Sequence, residues 1–207
     1  PKPSSAASDV YKRQVWGLSG SSPAQDRHRG FMEVLNSRIK VKEIFGKWKP
    51  ETVEKEIAEM DSLEEVDVVF AHNDVMAMAA RRAIERMHPG LADRICFVGI
   101  DAVSGRGSGL EAVMHGELAA SVLYPTGGSL AIRVAMQILN GEDVSRQYLL
   151  SSALIDKNNA GTLFIQSEQV VDYQHQIELQ RENLESMLSK YTFCLLYTSP
   201  SPRDRSV

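Results

Sequence analysis

Short apolar runs alternate with amphipathic segments along the middle of the chain. Residues 66–71 (VDVVFA) and 95–100 (ICFVGI) are almost continuously apolar, which is typical of strands buried on both faces of a sheet. The segment after the first of them, residues 74–87 (DVMAMAARRAIERM), is rich in Ala and Met and has a strong helical pattern. The pattern therefore predicts a buried strand followed directly by a helix.

The same alternation continues on both sides. Further predicted strands cover 15–18, 39–45, 119–124 and 147–155, and further predicted helices cover 24–38, 51–63, 109–116 and 127–141. In the first of these helices, Phe31, Val34 and Leu35 share one face. Alternating strands and helices with short loops predict parallel βαβ units. The expected fold is α/β, a doubly wound and mostly parallel sheet with helices on both faces.

The two ends differ from the middle. Residues 1–14 (PKPSSAASDVYKRQ) have no amphipathic period, and residues 192–207 are rich in Ser, Pro and Arg and cannot form a core. We interpret both as sequencing-adaptor or cloning sequence, with natural disordered tails as the alternative. This leaves a lobe over residues 15–165 and a separate helix over residues 166–191.

Composition narrows the classes of function. The formal net charge is −4, and the two ends carry more basic than acidic residues, so the middle is more acidic still. An acidic chain without a basic stripe argues against nucleic acid as a partner. Cys96 lies in an apolar run, where we expect a small buried side chain rather than a disulfide or a metal ligand. No signal peptide or membrane-length apolar run is present, which for a fragment says nothing about its parent protein.

Polar residues follow three of the predicted strands at their carboxyl ends. His72, Asn73 and Asp74 follow one strand, Asp101 ends the next, and Tyr124 ends a third. Ligands bind outside the carboxyl ends of the strands in such sheets, so we expect Asn73, Asp101 and Tyr124 along one rim. We interpret Asp74 as the N-cap of the following helix. A cap or turn role is equally open for Asn73.

At these residues the sequence resembles the second half of a type I periplasmic-binding-protein domain, the fold of ribose-binding-like proteins and lac-repressor-like effector domains. The motifs are SSPAQDRHRGF, FAHNDVMAMAA, FVGIDA, HGELAASVLYPTGG and ALIDKNNA, in this order, and the resemblance covers residues 15–165. Each motif alone is weak, whereas their order and spacing are specific. The resemblance implies that this stretch is a ligand-binding lobe and that the first lobe of the pair is missing.

The resemblance also implies a sugar ligand and assigns residues to it. Arg27, three residues before a Gly-aromatic pair, matches the family's Arg that bonds sugar hydroxyls or the ring oxygen. Asn73 matches the hydroxyl-binding Asn, and Asp101 matches the Asp that accepts from two hydroxyls. Tyr124 stands where ribose-type relatives often have Gln, so the details of sugar binding are expected to differ there.

Two further residues complete the predicted site. Trp48 follows the second strand, where an aromatic residue often lines the cleft in the family, and packing between lobes is its alternative role. His72 is expected at the rim or behind it rather than as a catalyst. Both residues also have alternative roles without a ligand: Arg27 as a solvated charge on a helix face, and Asp101 as a helix or turn cap. A guanidinium and a carboxylate suit the vicinal hydroxyls of a sugar, and aromatic rings suit its ring faces. We predict no catalytic residue, metal or cofactor.

The segment after residue 165 separates members of the family. Seven residues fall at a and d positions of about three heptads, namely Val170, Tyr173, Ile177, Gln180, Leu184, Met187 and Tyr191. This predicts a C-terminal amphipathic or coiled-coil helix; a helix that packs on its own domain is the alternative. Such a helix after ALIDKNNA resembles the extracytoplasmic sensor of a Bacteroides-like hybrid two-component histidine kinase. The resemblance implies a periplasmic sugar sensor, a homodimer through the helix and a membrane-anchored parent.

Other functions remain in competition with the sensor. A soluble sugar-binding protein of a transport system and a lac-repressor-type effector domain share the fold. An enzyme is disfavoured: GRGSG at 105–109 lacks the Gly-Lys-Ser/Thr of a phosphate loop, and neither G-x-G-x-x-G nor G-x-S-x-G is present.

Overall fold

The structure, a computed structural model, describes residues 11–36 and 39–197. The chain divides after Phe164 into two compact units, which are described separately. The first unit contains the whole sheet. The second consists of the greater part of one long helix.

Six strands form one sheet in the first unit. They are β1 (Tyr11–Trp16), β2 (Lys40–Phe45), β3 (Val66–Ala71), β4 (Cys96–Asp101), β5 (Ala120–Leu123) and β6 (Leu154–Asp156), in the spatial order β2-β1-β3-β4-β5-β6. The first five are parallel, and β6 runs antiparallel to β5. The α/β prediction of a mostly parallel, doubly wound sheet is therefore confirmed.

Six α-helices accompany the sheet in the described residues. They are α1 (Ser22–Val34), α2 (Pro50–Ala58), α3 (Asp74–Met87), α4 (Gly109–Met114), α5 (Gly128–Leu139) and α6 (Ala160–Tyr197). Pro50 opens α2 because a proline at the first helical position has no amide hydrogen that would need a partner. A C-terminal helix was predicted, and α6 provides it; its pairing with a second helix stays a prediction.

The core lies between the sheet and its helices, with α3 at its centre. Ala77, Ala79 and Ala80 of α3 are fully buried, and such short side chains let the helix backbone approach the sheet closely. Val53 and Ile57 of α2 are also fully buried beside it. Burial of these apolar surfaces stabilises the unit by roughly 25 cal/mol per Å².

Three local predictions were wrong. The strand expected at 147–155 is reduced to β6, because its partner β5 is only four residues long and offers no further backbone to pair with. Cys96 is exposed, since it begins β4 on the side opposite to the buried Phe97. Helix α1 was predicted over 24–38 but ends at Val34, so Leu35 lies beyond it, and Phe31 is the residue of the predicted face that stacks on Phe70.

Strand β1 has an unusual composition for the middle of a parallel sheet. It lies between β2 and β3, yet Arg13 is buried and Gln14 is fully buried. The Nε of Arg13 has no hydrogen-bond partner among the described residues, and burial lowers the pKa of its guanidinium. These positions belong to the stretch that we interpret as added sequence, an interpretation that stays a proposal.

Helix α5 forms where the pattern predicted it, but none of its residues is buried. Ile132 and Leu139 are more than two-thirds exposed. Its face and the segment after it line an apolar groove of about 380 Å³. The helical pattern of α5 therefore identified the element but not the surface that it packs against.

Candidate functional site

Arg27 is the centre of the candidate site at the carboxyl ends of the strands. Its Nη1 donates to the backbone carbonyl oxygen of His72 over 2.5 Å, and its Nη2 lies 3.5 Å from Oδ1 of Asp101. The guanidinium carbon lies 5.4 Å from the centroid of the Trp48 ring and 5.0 Å from that of Tyr124. The side chain is only 13% exposed. Arg27 is thus held in one orientation by a carbonyl, a carboxylate and two ring faces.

Trp48 owes its position to the local backbone. The residue adopts a left-handed conformation with φ of 65°, which turns the side chain back over the end of β1. There its ring lies directly on Gly17, where any Cβ would collide with the indole. Gly17 is therefore the residue that lets Trp48 reach Arg27.

Asn73, rather than Asp74, is the N-cap of α3. Its backbone is extended, and its Oδ1 accepts a hydrogen bond from the amide of Met76 over 3.0 Å. This corrects the N-cap assignment made for Asp74. Because the cap engages the amide oxygen, the amide nitrogen is the group that Asn73 can offer to a ligand.

Asp74 is instead a buried residue that joins two neighbouring strands. Its carboxylate accepts from Ser121 Oγ over 2.6 Å and from the amide of Ala102 over 2.7 Å. Burial raises the pKa of Asp74 to about 6, although both hydrogen bonds act in the opposite direction. Sequence reasoning missed this role. The available signal was a pair of glycines, Gly99 and Gly109, at which a Cβ would collide with the Asp74 side chain.

Asp101 presents its carboxylate at the end of β4. Its φ is 119° and that of Ala102 is 47°, both outside the range that side chains with a Cβ favour. The side chain is 32% exposed. Burial raises the pKa of Asp101, and the neighbouring Arg27 acts to lower it. The residue is a half-buried acceptor that faces the Arg27 fork.

His72 lies behind this surface and is fully buried. The amide of Gly17 donates to its Nδ1 over 3.2 Å, and its Nε2 lies 2.9 Å from the side-chain amide nitrogen of Gln14. Burial and the charge of Arg27 lower the pKa of His72 to about 4, so the ring is neutral at physiological pH. Its carbonyl, not its ring, takes part in the arrangement around Arg27.

Tyr124 borders an open groove of about 470 Å³ at the same edge. The groove is lined by Arg27, Ile100, Leu123, Tyr124, Leu150 and Ser152, among others. Tyr124 is 53% exposed, so its ring and hydroxyl are accessible. Three of the predicted residues, Trp48, Asp101 and Tyr124, lie around the guanidinium of a fourth, Arg27. Asn73 follows His72, whose carbonyl Arg27 binds.

Neither a metal centre nor a membrane helix is found in the part of the chain that the structure describes. Residues 11–36 and 39–197 contain no group of three or more His, Cys, Asp or Glu side chains placed to hold a metal ion. Across the same residues, no helix combines the length and the apolar character needed to cross a bilayer.

Bacterial ribose-binding proteins are similar in sequence to this chain. The ribose import binding protein RbsB of Salmonella typhimurium is 31% identical over 151 residues, which cover 70% of this chain and 48% of that protein. Its Escherichia coli K12 counterpart is 30% identical over the same length. This chain spans about half the length of these relatives.

Solved structures agree in fold. The fructose-binding periplasmic domain of the hybrid two-component system BT1754 superposes with a TM-score of 0.75 and 31% identity, over 84% of this chain and 59% of that one. A Mycobacterium smegmatis protein in complex with β-D-fucofuranose gives a TM-score of 0.69 and 27% identity, over 81% and 56%. The periplasmic binding protein domain matches residues 15–143, more than half of the chain. This chain therefore belongs to the periplasmic binding protein domain family.

Proposed function

We propose that the chain is part of an extracytoplasmic sensor domain that recognises a mono- or oligosaccharide. The observation that carries this proposal is the fixed guanidinium of Arg27, held between the rings of Trp48 and Tyr124 and beside the carboxylate of Asp101. Donors, an acceptor and ring faces converge on one partly open surface.

This set of groups suits the chemistry of a sugar. Each vicinal hydroxyl is donor and acceptor at once, so Asp101 accepts while Arg27 and the Asn73 amide nitrogen donate. Apolar ring faces of a pyranose or furanose stack on Tyr124 and Trp48. Half-buried polar groups of this kind reject ligands that leave them without partners. No step of bond breaking is required of any of these residues, and the proposed activity is binding.

The relatives support the same class of ligand. RbsB is named for ribose, and the BT1754 domain for fructose. The chain covers about half of RbsB, so we propose that a further lobe of the parent protein contributes the rest of the ligand site. The identity of the sugar is left to experiment, because Tyr124 introduces a phenol where ribose-type relatives often carry an amide.

The second unit supports the sensor form of the proposal. Helix α6 has 38 residues, a length of about 57 Å. Val170, Ile177, Leu184 and Met187, four of the predicted a and d residues, are each about half exposed or more. We propose that this seam pairs with a second copy of the helix and relays ligand binding to a membrane histidine kinase. The ligand achieves this by binding one arrangement of the dimer better than the other.

A soluble sugar-binding protein of a transport system is the second candidate, favoured by the similarity to RbsB. The two candidates predict different assemblies. A transport protein is expected to stay monomeric with and without sugar, whereas a sensor is expected to dimerise through α6 and to respond to the sugar.

The test is a binding panel on the complete two-lobed domain of the parent gene and on this chain. D-fructose, D-ribose, other monosaccharides and short oligosaccharides are screened by thermal shift, and hits are measured by calorimetry. Asp101→Ala is expected to abolish a hit. Asp93→Ala is the matched control, since Asp93 is an exposed acid paired with Arg81. Hits that Asp101→Ala leaves intact overturn the site, and no hit across the panel overturns the sugar proposal.

A further inference from the structure

Asp74 is a buried acid that touches neither solvent nor the open groove. It is 3% exposed and begins α3, directly after Asn73. Its two carboxylate oxygens have separate partners: Oδ1 accepts from Ser121 of β5, and Oδ2 accepts from the Ala102 amide just after β4. One side chain therefore links the start of α3 to two strands at the edge where the site lies.

The three groups form a closed triangle of hydrogen bonds. The Ala102 amide also points at Ser121 Oγ over 3.1 Å, so its hydrogen is shared between the hydroxyl and the Asp74 carboxylate. Ala102 and its neighbour Asp101 both have positive φ. Residues with a Cβ adopt this conformation only where their surroundings hold them in it. The triangle holds this turn together with the hydrogen bond that the Tyr124 amide donates to the Asp101 carbonyl oxygen over 3.2 Å.

The surrounding glycines show that the space is fitted to the carboxylate. Gly99 lies on β4 and Gly109 begins α4, and a Cβ at either position would overlap the Asp74 side chain. The glycine backbones of two separate elements therefore lie directly against the Asp74 side chain.

We propose that Asp74 is a positioning residue of the binding site: with Ser121 it holds the left-handed Asp101–Ala102 turn that directs Asp101 at Arg27. The inference rests on the proposed function for the identity of the site, but the turn itself can be observed without a ligand. Asp74 acts through Asp101 and has no contact with a sugar.

The protonation state of Asp74 changes the electrostatic surroundings of this turn. The charged groups that face it are Asp101, which raises its pKa, and Arg27, which lowers it; burial brings the pKa to about 6. An ionised carboxylate accepts from both Ser121 and Ala102. A protonated one donates to Ser121 Oγ and still accepts from Ala102. The turn persists in both forms, while the electrostatic environment of the Ala102 amide changes between them.

The experiment follows the Ala102 amide of the ¹⁵N-labelled chain by NMR. In the wild type we expect protection from hydrogen exchange and a chemical shift that titrates with a midpoint near 6. Asp74→Ala is expected to speed exchange at Ala102 by about tenfold or more. Asp74→Asn imitates the protonated acid, so it is expected to keep the protection and abolish the titration. Glu111→Gln is the matched control, because Glu111 accepts an exposed backbone amide, that of Gly107.

Binding of D-fructose and D-ribose to the same variants supplies the second readout. If either sugar binds, Asp74→Ala is expected to weaken it by about tenfold and Asp74→Asn to restore it. Should Asp74→Ala not fold, as judged by circular dichroism, Ser121→Ala takes its place. The inference is overturned if Ala102 stays protected and titrates in the substituted chain, or if Asp74→Asn fails to rescue. If neither sugar binds the wild type, the NMR result still decides the inference, and only the proposed function is weakened.

Discussion

Arg27 joins helix α1 to the end of strand β3 through a hydrogen bond to the backbone carbonyl oxygen of His72, over 2.5 Å. Its other terminal nitrogen lies 3.5 Å from Asp101 at the end of β4. One side chain thus spans two strand ends. A ligand that binds there meets a guanidinium that is already oriented, so it loses less conformational freedom on binding.

The first prediction concerns the shape of the Arg27 head group. Arg27→Lys keeps the charge but replaces a planar fork with a single ammonium, which cannot serve the His72 carbonyl and Asp101 together. We expect the affinity for the sugar found in the panel to fall by about 10- to 100-fold. Calorimetric titration measures the change.

Arg29→Lys is the control for this substitution, because Arg29 lies on the same helix, is 68% exposed and pairs with Asp26. It is expected to leave the affinity unchanged. Equal losses in the two variants would assign the effect to helix α1 as a whole rather than to the Arg27 fork.

The second prediction concerns the glycine beneath Trp48. Gly17→Ala places a methyl group where the indole ring lies, so the ring must move away from Arg27. We expect a changed tryptophan emission spectrum together with weaker sugar binding, while circular dichroism stays native. Gly20→Ala is the matched control, since a Cβ there has nothing within 4 Å. An unchanged spectrum in Gly17→Ala would show that Trp48 does not rest on this glycine.

The third prediction is a pH dependence of stability that comes from Asp74. The pKa of Asp74 in the folded chain is about 6, above its ordinary value of 3.8, so protonation favours folding. This contribution is complete below about pH 4 and is lost as the pH rises through 6. Asp74→Asn cannot ionise and keeps the contribution at every pH.

Relative to the wild type, the free energy of unfolding of Asp74→Asn should therefore increase between pH 4 and pH 7. The pKa difference of about two units corresponds to about 3 kcal/mol. Urea unfolding at pH 3.5 and pH 7.5 measures it, and Asp101 remains in both proteins. A difference between the two proteins that is the same at both pH values contradicts the prediction.

The fourth prediction concerns the charged stretch in strand β1. Arg13 is 5% exposed in the middle of the sheet, and its Nε has no partner among the described residues. Arg13→Ile removes an uncompensated buried donor and supplies a side chain that suits a strand. We expect an increase of about 1–3 kcal/mol in the free energy of unfolding. Arg106→Ile, at an exposed position, is the control and is expected to leave the free energy of unfolding unchanged. A loss of stability in Arg13→Ile would contradict the proposal that residues 1–14 are added sequence.

The sequence predicted the positions of strands and helices better than it predicted which residues they bury and which strands they pair with. The apolar run of β3 and the Ala-rich pattern of α3 are local signals, and both elements formed where expected. The burial of Cys96 was misjudged because apolar character alone does not show which side of a strand a neighbour covers. The strand predicted at 147–155 failed for a similar reason, since its length depends on β5 rather than on its own residues.

The site shows the same limit at the level of single residues. The motif order led to Arg27 and Asp101, which the structure brings together. The N-cap was misassigned by one position, because Asn73 and Asp74 are both good caps and only the backbone geometry separates them. The partner of Asp74, Ser121, lies 47 residues away in the chain, a distance over which no local pattern acts.

The last prediction concerns the seam of helix α6. Ile177 and Leu184 are exposed at successive a positions, and a second copy of the helix would bury both. Ile177→Lys places a charge in that seam, so we expect the dissociation constant of the dimer to increase by about tenfold or more. Sedimentation equilibrium on the chain measures the monomer–dimer constant.

Leu179→Lys is the matched control, since Leu179 is an exposed apolar residue of the same helix that lies outside the a and d positions. It adds the same charge two residues away and is expected to leave the constant unchanged. A wild-type chain that is monomeric would contradict the proposed dimer and favour a soluble sugar-binding protein of a transport system. Equal weakening by both lysines would indicate that general repulsion, rather than a defined heptad register, governs association. Loss in Ile177→Lys alone supports the register on which the proposed signal relay depends.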